Sequence, residues 1–115
     1  MNVKEADAIA RIAMYCEKIK RAQEKFFPTK DLFDEEALYR DGCAFYVQQI
    51  GEHVNDLSEG FIAAHAEIPW HQIRGFRNVI AHAYGNVDAE VLWETITEDI
   101  PRLAEFCIHL QEERL

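Results

Sequence analysis

Trp70-His71-Gln72-Ile73-Arg74-Gly75-Phe76-Arg77-Asn78-Val79-Ile80-Ala81-His82-Ala83-Tyr84 lies between Pro69 and the pair Gly85-Asn86. Proline is tolerated in a helix's first turn and Gly-Asn stops a helix, so the stretch reads as one helix that Trp70 opens. At ~100° per residue, Arg74, Arg77, Ala81 and Tyr84 line one strip, while His71, Gly75, Asn78 and His82 line the next. Trp70, Ile73, Val79 and Ile80 are left to anchor the helix, with Ile80 near the edge of the polar strip. Gly75 is a weak helix former, and the close approach of another backbone would account for it there.

The helical reading extends in both directions. Upstream, Ile9, Ile12, Ala13, Cys16 and Ile19 recur at three- and four-residue steps, which predicts an amphipathic helix from about Val3 to Phe26, stopped near Pro28. Asp31 and Asp34 are candidate N-caps for a second helix whose Cys43, Tyr46, Val47, Ile50, Val54 and Leu57 hold one face. Ser58-Glu59-Gly60 breaks it, and a short helical piece follows through Phe61 and His65. Downstream, Asp88 is a cap for a last region striped by Ala89, Leu92, Ile96, Leu103, Cys107 and Leu110, which Pro101 kinks or restarts. Trp70 and Trp93 sit among apolar neighbours and read as core or interface anchors. Strand-like alternation is absent. The expectation is an all-α antiparallel bundle of four to five helices, one domain over residues 1–115, small enough to pair with itself.

Composition narrows the function. The 115 residues, 49% hydrophobic, can supply one core. Neither a basic-then-apolar leader nor an apolar run of ~20 residues is present, so a cytoplasmic protein with no membrane association is expected. Cys16, Cys43 and Cys107 are odd in number and far apart, which suits buried reduced thiols rather than a disulfide framework. His65, His71 and His109 lack the spacing with carboxylates that would make a zinc site, so no metal or other cofactor is expected. A formal charge of −9 argues against broad nucleic-acid coating and confines any RNA contact to a local patch, with no DNA partner expected. The run 68–87 contains no Asp or Glu, although 21 acids in 115 residues would place about four there. Arg74, Arg77, His71 and His82 all fall inside it, forming either a chance cluster in a buried segment or an anion-facing patch.

Within this stretch, Arg77 and His82 are side chains that could meet the needs of RNA cleavage without a metal. A base must take the ribose 2′-hydroxyl proton, an acid must protonate the leaving 5′-oxygen, and a cation must hold the phosphorane charge. An imidazole exchanges protons near neutrality and a guanidinium grips phosphate oxygens in two places. Asn78 could orient either group. One His82 cannot easily act on both sides of a phosphate, so the chemistry calls for two copies in a two-fold dimer. The plainer alternative for His82 is an imidazolium at a helix C-terminus. For Tyr84 the plainer alternative is an amphipathic packing residue. Glu52 is a candidate carboxylate partner for an arginine of this helix, or simply a solvated helix residue.

The motif Arg77-Asn78-x-x-x-His82-x-Tyr84 resembles that of the HEPN superfamily of small helical ribonuclease toxins, and more closely its HepT-like branch. Ile50-Gly51-Glu52, Ile68-Pro69-Trp70, Val87-Asp88-Ala89-Glu90 and Ile100-Pro101-Arg102-Leu103 follow the same pattern in the same order, over roughly residues 34–105. The resemblance implies a HEPN-like dimeric bundle acting as a metal-independent endoribonuclease, the toxin of a type VII-like toxin–antitoxin pair. Arg77 and His82 would be its catalytic pair, with Asn78 and Arg74 as supporting polar residues toward RNA. Tyr84 would accept AMP from a minimal nucleotidyltransferase antitoxin, and the added phosphate and nucleoside would compete with RNA for Arg77. The alternative is a non-catalytic helical module that binds a nucleotide or presents this helix to the nucleotidyltransferase.

Overall fold

Two reciprocal hydrogen bonds start the first helix. The Glu5 amide donates to Asn2 Oδ1 (2.8 Å) and the Asn2 amide donates to Glu5 Oε1 (3.0 Å), satisfying two donors that a first turn leaves orphaned. The computed structural model describes residues 1–26, 29–82 and 89–114, and at 78–82 the backbone alone. In chain order the helices are α1 (Val3–Phe26), α2 (Lys30–Glu35), α3 (Ala37–Val54), α4 (Glu59–Ala64), α5 (Trp70–His82), α6 (Ala89–Glu94) and α7 (Ile100–Glu113). A π-helical turn over Thr95–Asp99 joins α6 to α7. No strand occurs among the described residues, and no described helix is long and apolar enough to cross a membrane.

The all-α antiparallel bundle is thus observed, with α1, α3, α5 and the α6–α7 rod as its four long members. The packing follows the apolar stripes. Ile9, Ile12, Cys16 and Ile19 of α1 are buried against Cys43, Val47, Ile50 and Val54 of α3 and Leu103 and Cys107 of α7. α1 and α3 run antiparallel: Glu5 meets Ser58 just past the end of α3, and Phe26 stacks on Tyr39 near its start, ring centroids 5.1 Å apart. α7 lies antiparallel on α1 as well, since Gln23 Nε2 donates to the Ile96 carbonyl (3.1 Å) while Cys16 neighbours Cys107. α5 packs on α3. All three cysteines are free and buried. Burial pushes their thiols up, to about 12 at Cys43 and Cys107, so they remain protonated packing groups.

Two boundaries differ from expectation. Asp31 and Asp34 do not cap the second helix. Thr29 does, its Oγ1 accepting from the Leu32 amide at 3.4 Å, while Asp31 lies in the first turn and Asp34 pairs with Lys30 at 2.9 Å. An extended Glu36 (φ −95°, ψ 95°) then divides α2 from α3. The Arg40 guanidinium reaches back to the carbonyls of Phe33 and Asp34 and satisfies the end of α2, so a segment read as one helix is two.

Pro101 starts a new segment. It stands in the first turn of α7 and has no N–H to give residue 97. The Ile100 amide instead bonds the Thr95 carbonyl five residues back, and the Thr95 and Thr97 hydroxyls bond the carbonyls of Val91 and Trp93, each at 2.8 Å. The π turn absorbs the register change without breaking the rod. The proposed stop at Gly85-Asn86 and cap at Asp88 lie outside the described residues.

Candidate functional site

α5 is held by apolar side chains of its first two turns; those of Val79 and Ile80 lie outside the described residues. Trp70 is buried and its Nε1 donates to the His65 carbonyl (2.9 Å), while Phe61 and Phe106 meet its ring edge-on at 5.9 and 5.5 Å. Ile73 and Phe76 bury the next turn. Trp93, the other expected anchor, is half-buried against Phe33 at 5.2 Å.

The close approach expected at Gly75 is found at Gly51 instead. A methyl group on Gly75 would meet nothing within 4 Å among the described residues. One on Gly51 of α3 would stand 3.0 Å from the Ile73 carbonyl oxygen, 3.1 Å from the Arg77 nitrogen and 3.4 Å from the Arg74 carbonyl oxygen. The missing side chain of Gly51 therefore lets the backbone of α5 settle directly on α3 at the turn that carries both arginines. Periodicity showed glycines at 51 and 75 but not which of them faced another backbone.

Arg74 and Arg77 flank this contact and are both half-buried. Arg74 Nη2 lies 3.7 Å from Glu59 Oε1, and its buried Nε has no hydrogen-bond partner among the described residues. Glu59 is 77% exposed, so the pair is screened by water and adds at most about 1 kcal/mol. The carboxylate that reaches the motif helix thus comes from α4. Glu52, the expected candidate, is exposed and makes no ion pair among the described residues. Although residues 68–87 contain no acid, folding therefore brings one to Arg74. Arg77 has no carboxylate within 4 Å among the described residues. Such a guanidinium is available to an incoming anion.

His71 is exposed on the next strip of α5, whose helical register also takes in the backbone positions of Asn78 and His82. The side chains of Asn78 and His82, and all of Tyr84, lie outside the described residues. Of the other histidines, His65 packs its ring on Phe61 (4.6 Å) and Phe106 (5.2 Å), which makes it a structural residue. Among the described residues no group of three or more His, Cys, Asp or Glu side chains is gathered to hold a metal ion.

Comparison with known proteins bears on this helix and its surroundings. A protein of Thermococcus cleftensis named probable ribonuclease HepT is 44% identical over 54 residues, 47% of this chain and 49% of its own. One from Caldanaerobacter subterraneus, whose name designates a candidate RNase, is 41% identical over 54 residues, 47% and 48% of the respective chains. Another so designated, from Methanocaldococcus jannaschii, is 28% identical over 79 residues, 65% of this chain and 72% of its own. The chain spans about half the length of the first two relatives in these matches. No solved structure matches it. Residues 12–110 match the family described as Ribonuclease HepT-like, a span running from the middle of α1 through the arginine-bearing α5 to the end of the core in α7. The chain belongs to the HepT-like ribonuclease family.

Proposed function

We propose that the protein is a metal-independent endoribonuclease, the toxin of a toxin–antitoxin pair. The observation that carries this reading is Arg77: a guanidinium with no carboxylate within 4 Å among the described residues, on a helix seated backbone-to-backbone on α3, in a HepT-like chain. In the proposed reaction the ribose 2′-oxygen attacks phosphorus and the bond to the 5′-oxygen breaks, leaving a 2′,3′-cyclic phosphate and a 5′-hydroxyl. One His82 takes the 2′-hydroxyl proton and a second, from the other copy of a homodimer, protonates the leaving oxygen. Arg77 holds the phosphorane charge, with Asn78 orienting and Arg74 guiding the RNA backbone. A cognate nucleotidyltransferase antitoxin silences the site when the Tyr84 hydroxyl oxygen attacks the α-phosphorus of ATP, losing its proton as pyrophosphate leaves, and the AMP so attached puts an anion where Arg77 would otherwise receive RNA.

The test is chelator-treated cleavage of total cellular RNA by the parent protein beside Arg77→Ala and His82→Ala. Each variant should lose at least ~100-fold in rate, the usual scale for removing a proton-transfer or charge-stabilising group, with unchanged helical circular dichroism. Cleavage by both variants at the parental rate would remove the catalytic pair. No cleavage by any of the three would leave a family member that binds nucleotides or its nucleotidyltransferase without cutting.

A further inference from the structure

α3 is flanked by α5 and by α1, and the α1 flank carries chemistry that the motif helix does not use. Lys18, Arg21 and Lys25 recur at three- and four-residue steps and so share one strip of α1, spread over ~10 Å. With Tyr46, Leu38 and Gly42 of α3 they line a groove of about 420 Å³ between the two helices. Among the described residues no acidic one lines this groove, on a chain whose net charge is −9. Among the described residues Lys18 and Lys25 have no carboxylate within 4 Å, and Arg21 is met only by its exposed helix neighbour Glu17 at 3.5 Å.

The groove is also bordered by rings. Tyr46 lies 6.0 Å from Tyr15 and 6.0 Å from Phe45, and Tyr15 stacks on His53 at 6.0 Å, an aromatic row running along the α1–α3 seam. Phe45 and Leu38 are exposed, at 51% and 78%. Cations along one wall, the half-buried Tyr46 ring on the other and the exposed Phe45 ring beside it suit single-stranded nucleic acid, phosphates against the charges and bases against the π-faces. An acidic polypeptide would use the lysines but leave the rings unemployed.

We propose that this groove binds a single-stranded segment of RNA, holding substrate at a place apart from Arg77. The assignment rests on the reading of the protein as a ribonuclease, and it names where part of the substrate lies. Gly42 supplies a variant that spares the fold, because a methyl group built there meets nothing within 4 Å among the described residues. Gly42→Glu thus adds a carboxylate at a groove-lining position whose Cβ has open space.

Binding of a fluorescent 2′-O-methyl oligoribonucleotide, which cannot be cut through its 2′-oxygen, is measured by anisotropy across a salt series. The parent should bind, and Gly42→Glu and the double variant Lys18→Ala/Lys25→Ala should each bind at least ~10-fold more weakly. Removing two phosphate contacts should also flatten the log–log salt dependence by ~1.4. Parental affinity and slope in both variants would overturn the proposal, as would a parent that binds polyglutamate as tightly as RNA. Because nothing is cleaved, the outcome separates from that of the nuclease reading: groove variants that lose RNA in a protein without nuclease activity uphold the groove alone. Unaltered binding by groove variants of an active nuclease sinks only the groove.

Discussion

Gly51 and Gly75 lie on facing helices and make opposite predictions. The three atoms nearest a Gly51 Cβ all belong to the α5 backbone, which cannot swing aside as a side chain would. Gly51→Ala should therefore push α5 outward and cost about 1–3 kcal/mol, the scale of overpacking a close contact. Gly75 sits inside α5 with nothing within 4 Å of the same methyl group among the described residues, so Gly75→Ala should gain about 0.5–1 kcal/mol from helix propensity. Urea denaturation of the two variants checks both signs, and a shift of the two in the same direction would refute the packing assigned to Gly51. The sequence made the glycines visible, and the motif pattern even included Gly51. It assigned the close approach to the wrong one because helical spacing tells which residues share a strip but not which strip meets a neighbour at backbone distance. Glu59 was hidden for a related reason: its approach to Arg74 depends on how α4 folds back, which no local window contains.

For whole elements, legibility followed the strength of the apolar period. α1, α3, α5 and the α6–α7 rod were all readable, because each repeats buried positions over several turns, as Ile9, Ile12, Cys16 and Ile19 do. Helix ends were harder, since a single hydrogen bond decides among several capable residues. Thr29 prevails over Asp31 and Asp34. Ser58, read only as part of a break, proves to be a cap that also ties two helices together. Its Oγ accepts from the Phe61 amide (3.1 Å) to start α4, and its own amide and hydroxyl donate to Glu5 Oε2 at 3.1 and 2.7 Å. Ser58→Ala removes the cap and one charge-assisted bond, so the loss should reach about 2–3 kcal/mol, above the ~1 kcal/mol of an ordinary cap. Thermal melts of Ser58→Ala and Ser58→Thr test this. Threonine keeps the hydroxyl and should retain most of the stability, and an equal loss in both would contradict the capping role.

Among the described residues, several ion pairs join exposed neighbours one helical turn apart, such as Arg11–Asp7 and Arg21–Glu17, and contribute little. Glu5 differs. It is buried, 5% exposed, although it begins the chain's first helix. The hydrogen bond from the Asn2 amide, then those from the Ser58 hydroxyl and amide, hold its carboxyl down at about 2 against an ordinary 4.5, with the terminal ammonium adding in the same direction. A folded-state pKa below the unfolded one means that the folded form binds the proton less readily. The stabilisation is thus complete above about 4.5 and is lost as pH falls from there toward 2. Glu5→Gln keeps the shape and removes the charge, and at pH 7 it should lower the melting temperature by roughly 5–10 °C. The other carboxylates titrate in parent and variant alike, so the difference between the two melting curves isolates this group. That difference should persist unchanged from pH 7 to about 5 and close as the pH approaches 2; a gap of constant size down to pH 2 would mean that Glu5 stabilises the α1–α4 junction by shape rather than by charge.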